Sequence, residues 1–491
     1  MSYILSIDQS TQGTKALLFD AKGKVVARED LPHRQIINEI GWVEHDPSEI
    51  LKNVIQVSIN VIEASGIDQS QIRAMGISNQ RETCIAWDRE SGAPLYNAIV
   101  WQCARASELC KALEPHAESI RKKTGLNLSP YFSGAKLAWM MQNVESVQQA
   151  AEHHTLCMGT VDAFLVHNLT EEKAFKTDYS NASRTQLFNI RDLVWDEEIC
   201  ALYGIPMDAL GQVCMSDSIF GHTTLGGYLK QPIPICGVLG DSHGALLGQQ
   251  CRKPGEVKST YGTGSSVMMQ TGETLVESQH GLVTSLAWGL NGKVEYVLEG
   301  NLNYTGATIT WLKDDAKLIS SAAESEVLAN EANPQDNCYL VPAFSGLGAP
   351  YWDSDASAII TGMSRTTGRA EIVRAGLESI GYQITDLILA MQSDAGIPVT
   401  ELRVDGGPTA NKYLMQFQSD IADVSLRIPD LQELSAMGAA FAAGFACGLY
   451  DTQTAWDNIA YTHYHPQKDD AWRDAKYAGW KKAVKQVLLH D

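Results

Sequence analysis

Apolar and polar positions fall in blocks from the start of the chain. Tyr3-Ile4-Leu5-Ser6-Ile7 is apolar and rich in strand formers, Asp8 to Thr14 is polar, and Lys15-Ala16-Leu17-Leu18-Phe19 is apolar again. A Lys22-Gly23 turn leads to Val25-Val26-Ala27, so residues 3–30 read as a three-stranded meander. From 47 to 65 the period changes: Ile50, Leu51, Val54, Ile55 and Val61 share one helical face behind Pro47. Residues 72–78 read as a strand, 84–88 as a strand pairing back, and 99–102 as another strand end. A loop from 125 feeds an amphipathic helix through Trp139, 156–158 enters a glycine turn and a helix, and 177–184 reads as a polar loop.

The second half repeats the opening. An apolar strand, 233–239, runs into Gly240-Asp241-Ser242-His243, and a small-residue helix leaves at 244–248. Residues 256–261 read as a strand, Gly262-Thr263-Gly264-Ser265-Ser266 as a turn, and 267–270 as the return. Residues 282–290 and 294–298 form a hairpin about Asn291-Gly292. Val373, Leu377, Ile380, Ile384, Leu387 and Met391 step by four and three, marking a long helix that ends near Gly396. Then come a strand at 402–405, a turn at 406–411 and a helix at 412–420. Strand, Thr- and Gly-bearing turn, strand thus occurs once near the start of each half. Two domains of like plan are expected, 1–249 and 250–491.

Composition narrows the class. A net charge of −20 argues against a nucleic-acid partner, which requires a basic stripe. It leaves room for a phosphate site built from backbone amides. The ten cysteines form no CxxC pair, so neither a zinc site nor a disulfide framework is indicated, and reduced thiols in a cytoplasmic enzyme are expected. Residues 3–8 already read as a strand, so no secretory leader is expected. The apolar stretch 436–450 is 15 residues long, short of the ~20 that span a bilayer, and reads as a buried helix packed through Ala and Gly.

Four stretches carry candidate chemistry, each with a plainer alternative. Asp241 ends a strand, where open α/β sheets place ligands, and its carboxylate can take a proton from a bound alcohol; it could also simply cap the next helix. The turn from Asp8 to Thr14, with Thr11 and Gln12, can nest a phosphate or be an ordinary hairpin turn. Arg81-Glu82 and Trp101 suit a small polyol, or are a salt bridge and a core indole. Gly406-Gly407 lets backbone approach a flat ligand, with Asn411 offering a donor and an acceptor, or merely makes a turn.

Longer strings decide between these. Asn79-Gln80-Arg81-Glu82-Thr83, Asn97-Ala98-Ile99-Val100-Trp101-Gln102-Cys103, Pro130-Tyr131-Phe132-Ser133-Gly134, Asp178-Tyr179-Ser180-Asn181-Ala182-Ser183-Arg184-Thr185 and Gly346-Leu347-Gly348-Ala349-Pro350-Tyr351-Trp352 are the most specific pieces of a likeness that runs from Ser6 to Lys485, nearly the whole chain. With them the sequence resembles the FGGY carbohydrate kinases, and among these the glycerol kinases most. The resemblance implies an α/β fold of two actin-like (ribonuclease-H-like) domains with the active-site cleft between them. It implies ATP and Mg²⁺, a small polyol or sugar as partner, and no nucleic acid or membrane; a homo-oligomer, dimer or tetramer, is expected.

Carried onto this sequence, Asp241 matches the general base, and Arg81, Glu82, Trp101 and Tyr131 the polyol pocket. Asp8 resembles the carboxylate near Mg²⁺, Thr11, Gln12, Lys15, Thr263 and Gly264 the phosphate-holding segments, and Gly306, Gly407 and Asn411 the adenosine side. There are departures. Ser242 stands where glycerol kinases carry Gln, Ser266 where they carry Phe against the glycerol carbons, and Ala104 precedes Arg105 where an Arg-Arg pair is usual. Both serines join the expected substrate-binding residues, and the loss of a Phe and a Gln enlarges the pocket and makes it more polar. A kinase for a four- or five-carbon polyol or ketose, such as erythritol, xylulose or ribulose, is therefore the alternative to a glycerol kinase-like activity. The loop matching the fructose 1,6-bisphosphate site, Leu229-Lys230-Gln231-Pro232, has no arginine, so that regulation is not expected. Strings of P-loop kinases and of protein kinases do not occur. An actin- or chaperone-type ATPase on the same fold is the remaining alternative.

Overall fold

The opening meander and its later echo become the cores of two sheets. In the computed structural model, which describes residues 1–489, the first sheet is built from β1 (Tyr3–Gln9), β2 (Gly13–Asp20), β3 (Val25–Pro32), β4 (Ile72–Asn79) and β5 (Ile233–Gly240). Their spatial order is β5-β4-β1-β2-β3, with β1, β4 and β5 parallel and β2 and β3 antiparallel. The second is built from β6 (Val257–Tyr261), β7 (Ser265–Gly272), β8 (Lys293–Leu302), β9 (Glu401–Asp405) and β10 (Ser425–Pro429). Its order is β10-β9-β6-β7-β8, with β6, β9 and β10 parallel and β7 and β8 antiparallel. The same five-strand plan therefore occurs twice. Gly221–Thr223 extends the first sheet beyond β5, Val283–Leu290 the second beyond β8, and Tyr461–Tyr464 the second beyond β10.

Helices follow their local signals. Helix α1 (Pro47–Ser65) starts where the Asp46 side chain accepts from the Ser48 amide and Pro47 presets the first turn; it ends at Gly66, left-handed at φ 67°. Helix α2 (Asp241–Gly248) begins three residues earlier than its small residues suggest, with Gly240 as N-cap. The stepped stripe becomes α3 (Arg369–Ala395), followed by α4 (Lys412–Ala422). The Ala/Gly stretch is α5 (Leu434–Ala446), buried along most of its length. Although it lies late in the chain, α5 covers the first sheet: Ser6 Oγ donates to the Ala436 carbonyl at 2.7 Å. It also meets α2 backbone to backbone. A Cβ at Gly438 would stand 1.9 Å from the Gly244 carbonyl oxygen, and one at Gly248 2.3 Å from that of Leu434. Small residues are there because nothing larger fits.

Two expectations need correction. Cys84–Asp88 does not pair back onto β4. It lies in a separate five-stranded sheet between Ala98–Ile99 and Leu156–Thr160, because Gln80 to Thr83 carry the chain away from the first sheet. The stretch 177–184 is not a loop but a buried strand end and helical turn, Tyr179–Ala182. The Asp178 carboxylate accepts from the Ser180 and Asn181 amides and so caps it internally. Among the described residues no helix is long and apolar enough to cross a membrane.

Candidate active site

Strands β1, β4 and β5 are adjacent and parallel, so their C-terminal ends deliver Asp8, Arg81-Glu82 and Asp241 to one edge. Asp241 is the first residue of α2, one place inside the cap position. Its Oδ1 accepts from the Ser242 amide at 2.6 Å and lies 3.3 Å from Arg81 Nε, while 36% of its side chain stays exposed. Burial pushes its pKa up, Arg81 opposes this and Glu82 adds to it. A carboxylate more basic than usual and open to a cavity is suited to accept a proton.

That cavity is a cleft of ≈ 570 Å³. Thr11, Gln12, Arg81, Glu82, Trp101, Tyr131, Asp241 and Ser242 line it from the first half of the chain, and Thr263, Gly264 and Ser266 from the second. The Trp101 indole donates to Thr11 Oγ1 at 2.9 Å and meets the Tyr131 ring edge-on at 5.6 Å. One hydrogen bond thus joins the aromatic wall to the first hairpin turn. Tyr131 is held from behind by Lys136, whose buried ammonium donates to the carbonyls of Pro130, Tyr131 and Phe132 at 3.0, 2.5 and 2.9 Å. Burial brings the Lys136 pKa down to about 8.

The floor of the cleft is a charge lattice. Arg81 donates to both oxygens of Glu299, at 2.7 and 3.1 Å, and Arg184 reaches Glu299 Oε2 at 2.8 Å and Glu82 Oε1 at 2.7 Å. Glu299 and Arg184 are fully buried. Burial alone would raise the Glu299 pKa, but the two guanidiniums hold it well below the usual carboxylate range. Beside them the buried Lys258 ammonium lies 3.1 Å from Thr260 Oγ1 and 3.5 Å from Ser266 Oγ. His243 is buried at Arg81, where burial and that cation hold it neutral.

The nucleotide-side candidates form a second cavity of ≈ 380 Å³, lined by Gly306, Ile309, Leu377, Gly407, Asn411 and Leu414 among others. It flanks the second hairpin turn, since the Gly306 amide donates to the Gly262 carbonyl at 2.9 Å. A Cβ at Gly407 would meet nothing within 4 Å, so the cavity comes up to its backbone. Asn411 lines the cavity with its amide engaged: Oδ1 caps α4 through the Leu414 amide and Nδ2 donates to Ser325 Oγ. Lys15 lines neither cavity; it pairs with Glu433 at 2.8 Å and lies 3.8 Å from Asp8 Oδ2. Asp8 is buried, and burial pushes its pKa up to about 6, with Lys15 opposing and Asp241 adding to the rise.

Sequence reasoning passed over Glu299, Lys258 and the role of Arg184. A signal existed: Lys258 and Thr260 in β6, and Glu299 and Asn301 in β8, sit at alternate positions of strands that are otherwise largely apolar. Arg105, flagged for its missing neighbour, stacks between Trp42 and Trp139 at 4.3 and 4.8 Å and pairs with Glu44 at 2.6 Å. It holds structure away from the cleft.

Residues 3–248 match the family model of the FGGY family of carbohydrate kinases, N-terminal domain, and residues 257–447 that of its C-terminal domain. Glycerol kinase 2 of Thermotoga maritima is 47% identical, with 99% of each chain covered. The glycerol kinase of Bacillus licheniformis is 44% identical over 98% of each. Among solved structures, Plasmodium falciparum glycerol kinase with ADP superposes with a TM-score of 0.94 at 38% identity, over 100% of this chain and 99% of that one. Ligand-bound xylulose kinase from Lactobacillus acidophilus superposes with a TM-score of 0.86 at 21% identity, over 99% and 97%, a likeness of fold.

Proposed function

The chain belongs to the FGGY family of carbohydrate kinases, and from that membership we propose that it transfers the γ-phosphoryl group of ATP to a terminal hydroxyl of a small polyol, glycerol or a close analogue. The observation that carries the reading is the Asp241 carboxylate, open to the same cleft as Arg81, Glu82, Trp101, Tyr131 and both hairpin turns. We assign residues 1–249 to the acceptor side and 250–491 to the nucleotide side, with α5 returning to the first sheet.

In this reading Arg81 and Glu82 grip acceptor hydroxyls, and Trp101 and Tyr131 cover its carbons. Asp241 takes the terminal hydroxyl proton as that oxygen bonds to the γ-phosphorus; the bond to the β–γ bridging oxygen breaks and ADP leaves. Phosphoryl transfer asks chiefly for positioning and charge stabilisation. Thr11, Gln12, Thr263 and Gly264 provide the former around the phosphates, and Lys15 reinforces the field beside Asp8. Gly306, Gly407 and Asn411 shape the adenosine cavity. Closure of the cleft around both substrates excludes water and so suppresses ATP hydrolysis.

The residues present suit Mg²⁺. Asp8 and Asp241 stand at the C-terminal ends of parallel strands of one sheet, with Lys15 only 3.8 Å from Asp8, and a divalent cation bound by one or two carboxylates suits such a pair. Asp8 would hold it, and the ion would supply charge neutralisation for the phosphates. Ten free cysteines suit a reducing, cytoplasmic setting, and we expect a homodimer or homotetramer.

An ADP-release assay with and without glycerol tests the assignment. Release should depend on the acceptor and yield a phosphate monoester of it. Equal ATP turnover without any acceptor would instead support the ATPase reading.

A further inference from the structure

The cleft-facing side of the second sheet is unusual for a sheet interior. In register, Thr260 faces Ser266, Ser266 faces Asn301, and Met268 pairs with both Lys258 and Glu299. Because side chains alternate along strands, Lys258, Thr260, Ser266, Glu299 and Asn301 all project from one face. A face meant only for packing would be apolar. Ser266 and Asn301 line the cleft and remain partly exposed, while Lys258 and Glu299 lie fully buried behind them.

The hydrogen bonds fix what Ser266 can offer. Its hydroxyl donates to Glu299 Oε1 at 3.3 Å, and it accepts from Lys258 Nζ at 3.5 Å. A serine hydroxyl has one donor and two acceptor sites. The donor and one acceptor are occupied, so a single acceptor site is left for a ligand. Glu299 Oε1 also receives Arg81 Nη2 at 2.7 Å. Ser266 and the arginine assigned to grip the acceptor therefore share one carboxylate oxygen, which sets the free acceptor site of Ser266 beside Arg81 in the cleft.

We propose that Ser266 is a specificity-determining residue that accepts a hydrogen bond from a hydroxyl one carbon beyond those gripped by Arg81, which makes four-carbon acyclic polyols the preferred acceptor class. This rests on the polyol-kinase reading above. Glycerol leaves the Ser266 site to water. A tetritol fills it with a donor. A four-carbon chain lacking the distal hydroxyl brings a methyl group against an oxygen it cannot satisfy, and such a site penalises the analogue.

Steady-state kinetics on the purified full chain, with ATP and Mg²⁺, decides it. The acceptors are glycerol, 1,2,3-butanetriol, erythritol and threitol. The wild type should show a kcat/KM for one of the tetritols above that for glycerol, and above that for butanetriol by roughly ten-fold or more. In Ser266→Ala the tetritol-to-butanetriol ratio should collapse toward one. The ratio is internal to each protein and so independent of the folded fraction. In Ser266→Phe preference should pass to glycerol. Glycerol or butanetriol equalling both tetritols in the wild type, or an unchanged ratio in Ser266→Ala, overturns the proposal and leaves the kinase reading standing. No acceptor-dependent turnover at all overturns both.

Discussion

Arg81 and Glu299 join the two halves of the chain at the floor of the cleft: the guanidinium from the end of the first sheet donates to both carboxylate oxygens from the second, at 2.7 and 3.1 Å. Both groups are buried, and Arg184 completes the lattice. Removing one member of a buried ionic set leaves the others uncompensated. Glu299→Gln should therefore lower unfolding stability by about 3 kcal/mol and raise the acceptor KM as Arg81 loses its orientation. Urea unfolding with acceptor kinetics checks both, and a variant within about 1 kcal/mol of wild type contradicts the account.

Asp241→Asn keeps the shape of the site and removes the proposed proton acceptor. We expect kcat to fall about 10²–10⁴-fold with nucleotide affinity close to wild type. Turnover retained at more than about a tenth would assign the proton elsewhere.

Neighbouring glycines should behave oppositely. At Gly407 an added Cβ meets open space, so Gly407→Val should fold normally and obstruct the cavity we propose for adenosine. At Gly406, φ is 100° and a Cβ would stand 1.9 Å from the Tyr261 carbonyl oxygen, so Gly406→Ala should lose folded protein. Nucleotide titration and thermal melts separate the two. Unchanged affinity in folded Gly407→Val would remove that residue from the nucleotide site.

A buried histidine pair sets a pH dependence of stability. His45 is fully buried with its ring 4.4 Å from that of His33, its Nδ1 lies 3.2 Å from the Arg34 carbonyl oxygen, and Glu49 is the acidic group acting on His33. Burial first, and His33 second, bring the His45 pKa from 6.5 to about 4. As pH falls below 6.5 the unfolded chain takes up a proton that the folded chain refuses until about pH 4, so stability is lost through that window. Across it the wild type should lose about 3 kcal/mol more than His45→Asn. Urea unfolding of both proteins at neutral pH and near pH 4.5 gives the difference; parallel losses would show that His45 titrates normally.

The sequence showed most clearly what local physics determines. Helix α1 carries its own start and stop in Asp46, Pro47 and Gly66, and α3 its own stripe. Asp241 could be placed at a strand end because the apolar run from Ile233 stops there. What could not be read required partners far apart in the chain. The destination of Cys84–Asp88 depends on Leu156–Thr160, and the burial of Asp178 to Arg184 on Glu82 and Glu299. The alternation marks Glu299 as polar in its strand, but its partner Arg81 is hidden until the second sheet turns that face to the first. Lys15 has a place in the sequence pattern, but its pairing with Glu433 spans most of the chain.

The contact between Gly244 and Gly438 bears on how this protein can be recombined. Helices α2 and α5 come from distant parts of the sequence, yet they meet with no side chain between them, and α5 rests on the sheet that α2 leaves. A chimera that takes one helix from a relative and keeps the other must match two bare backbones across that contact. The practical unit of exchange is therefore the pair, and a crossover placed at the midpoint of the chain separates parts that must be inherited together.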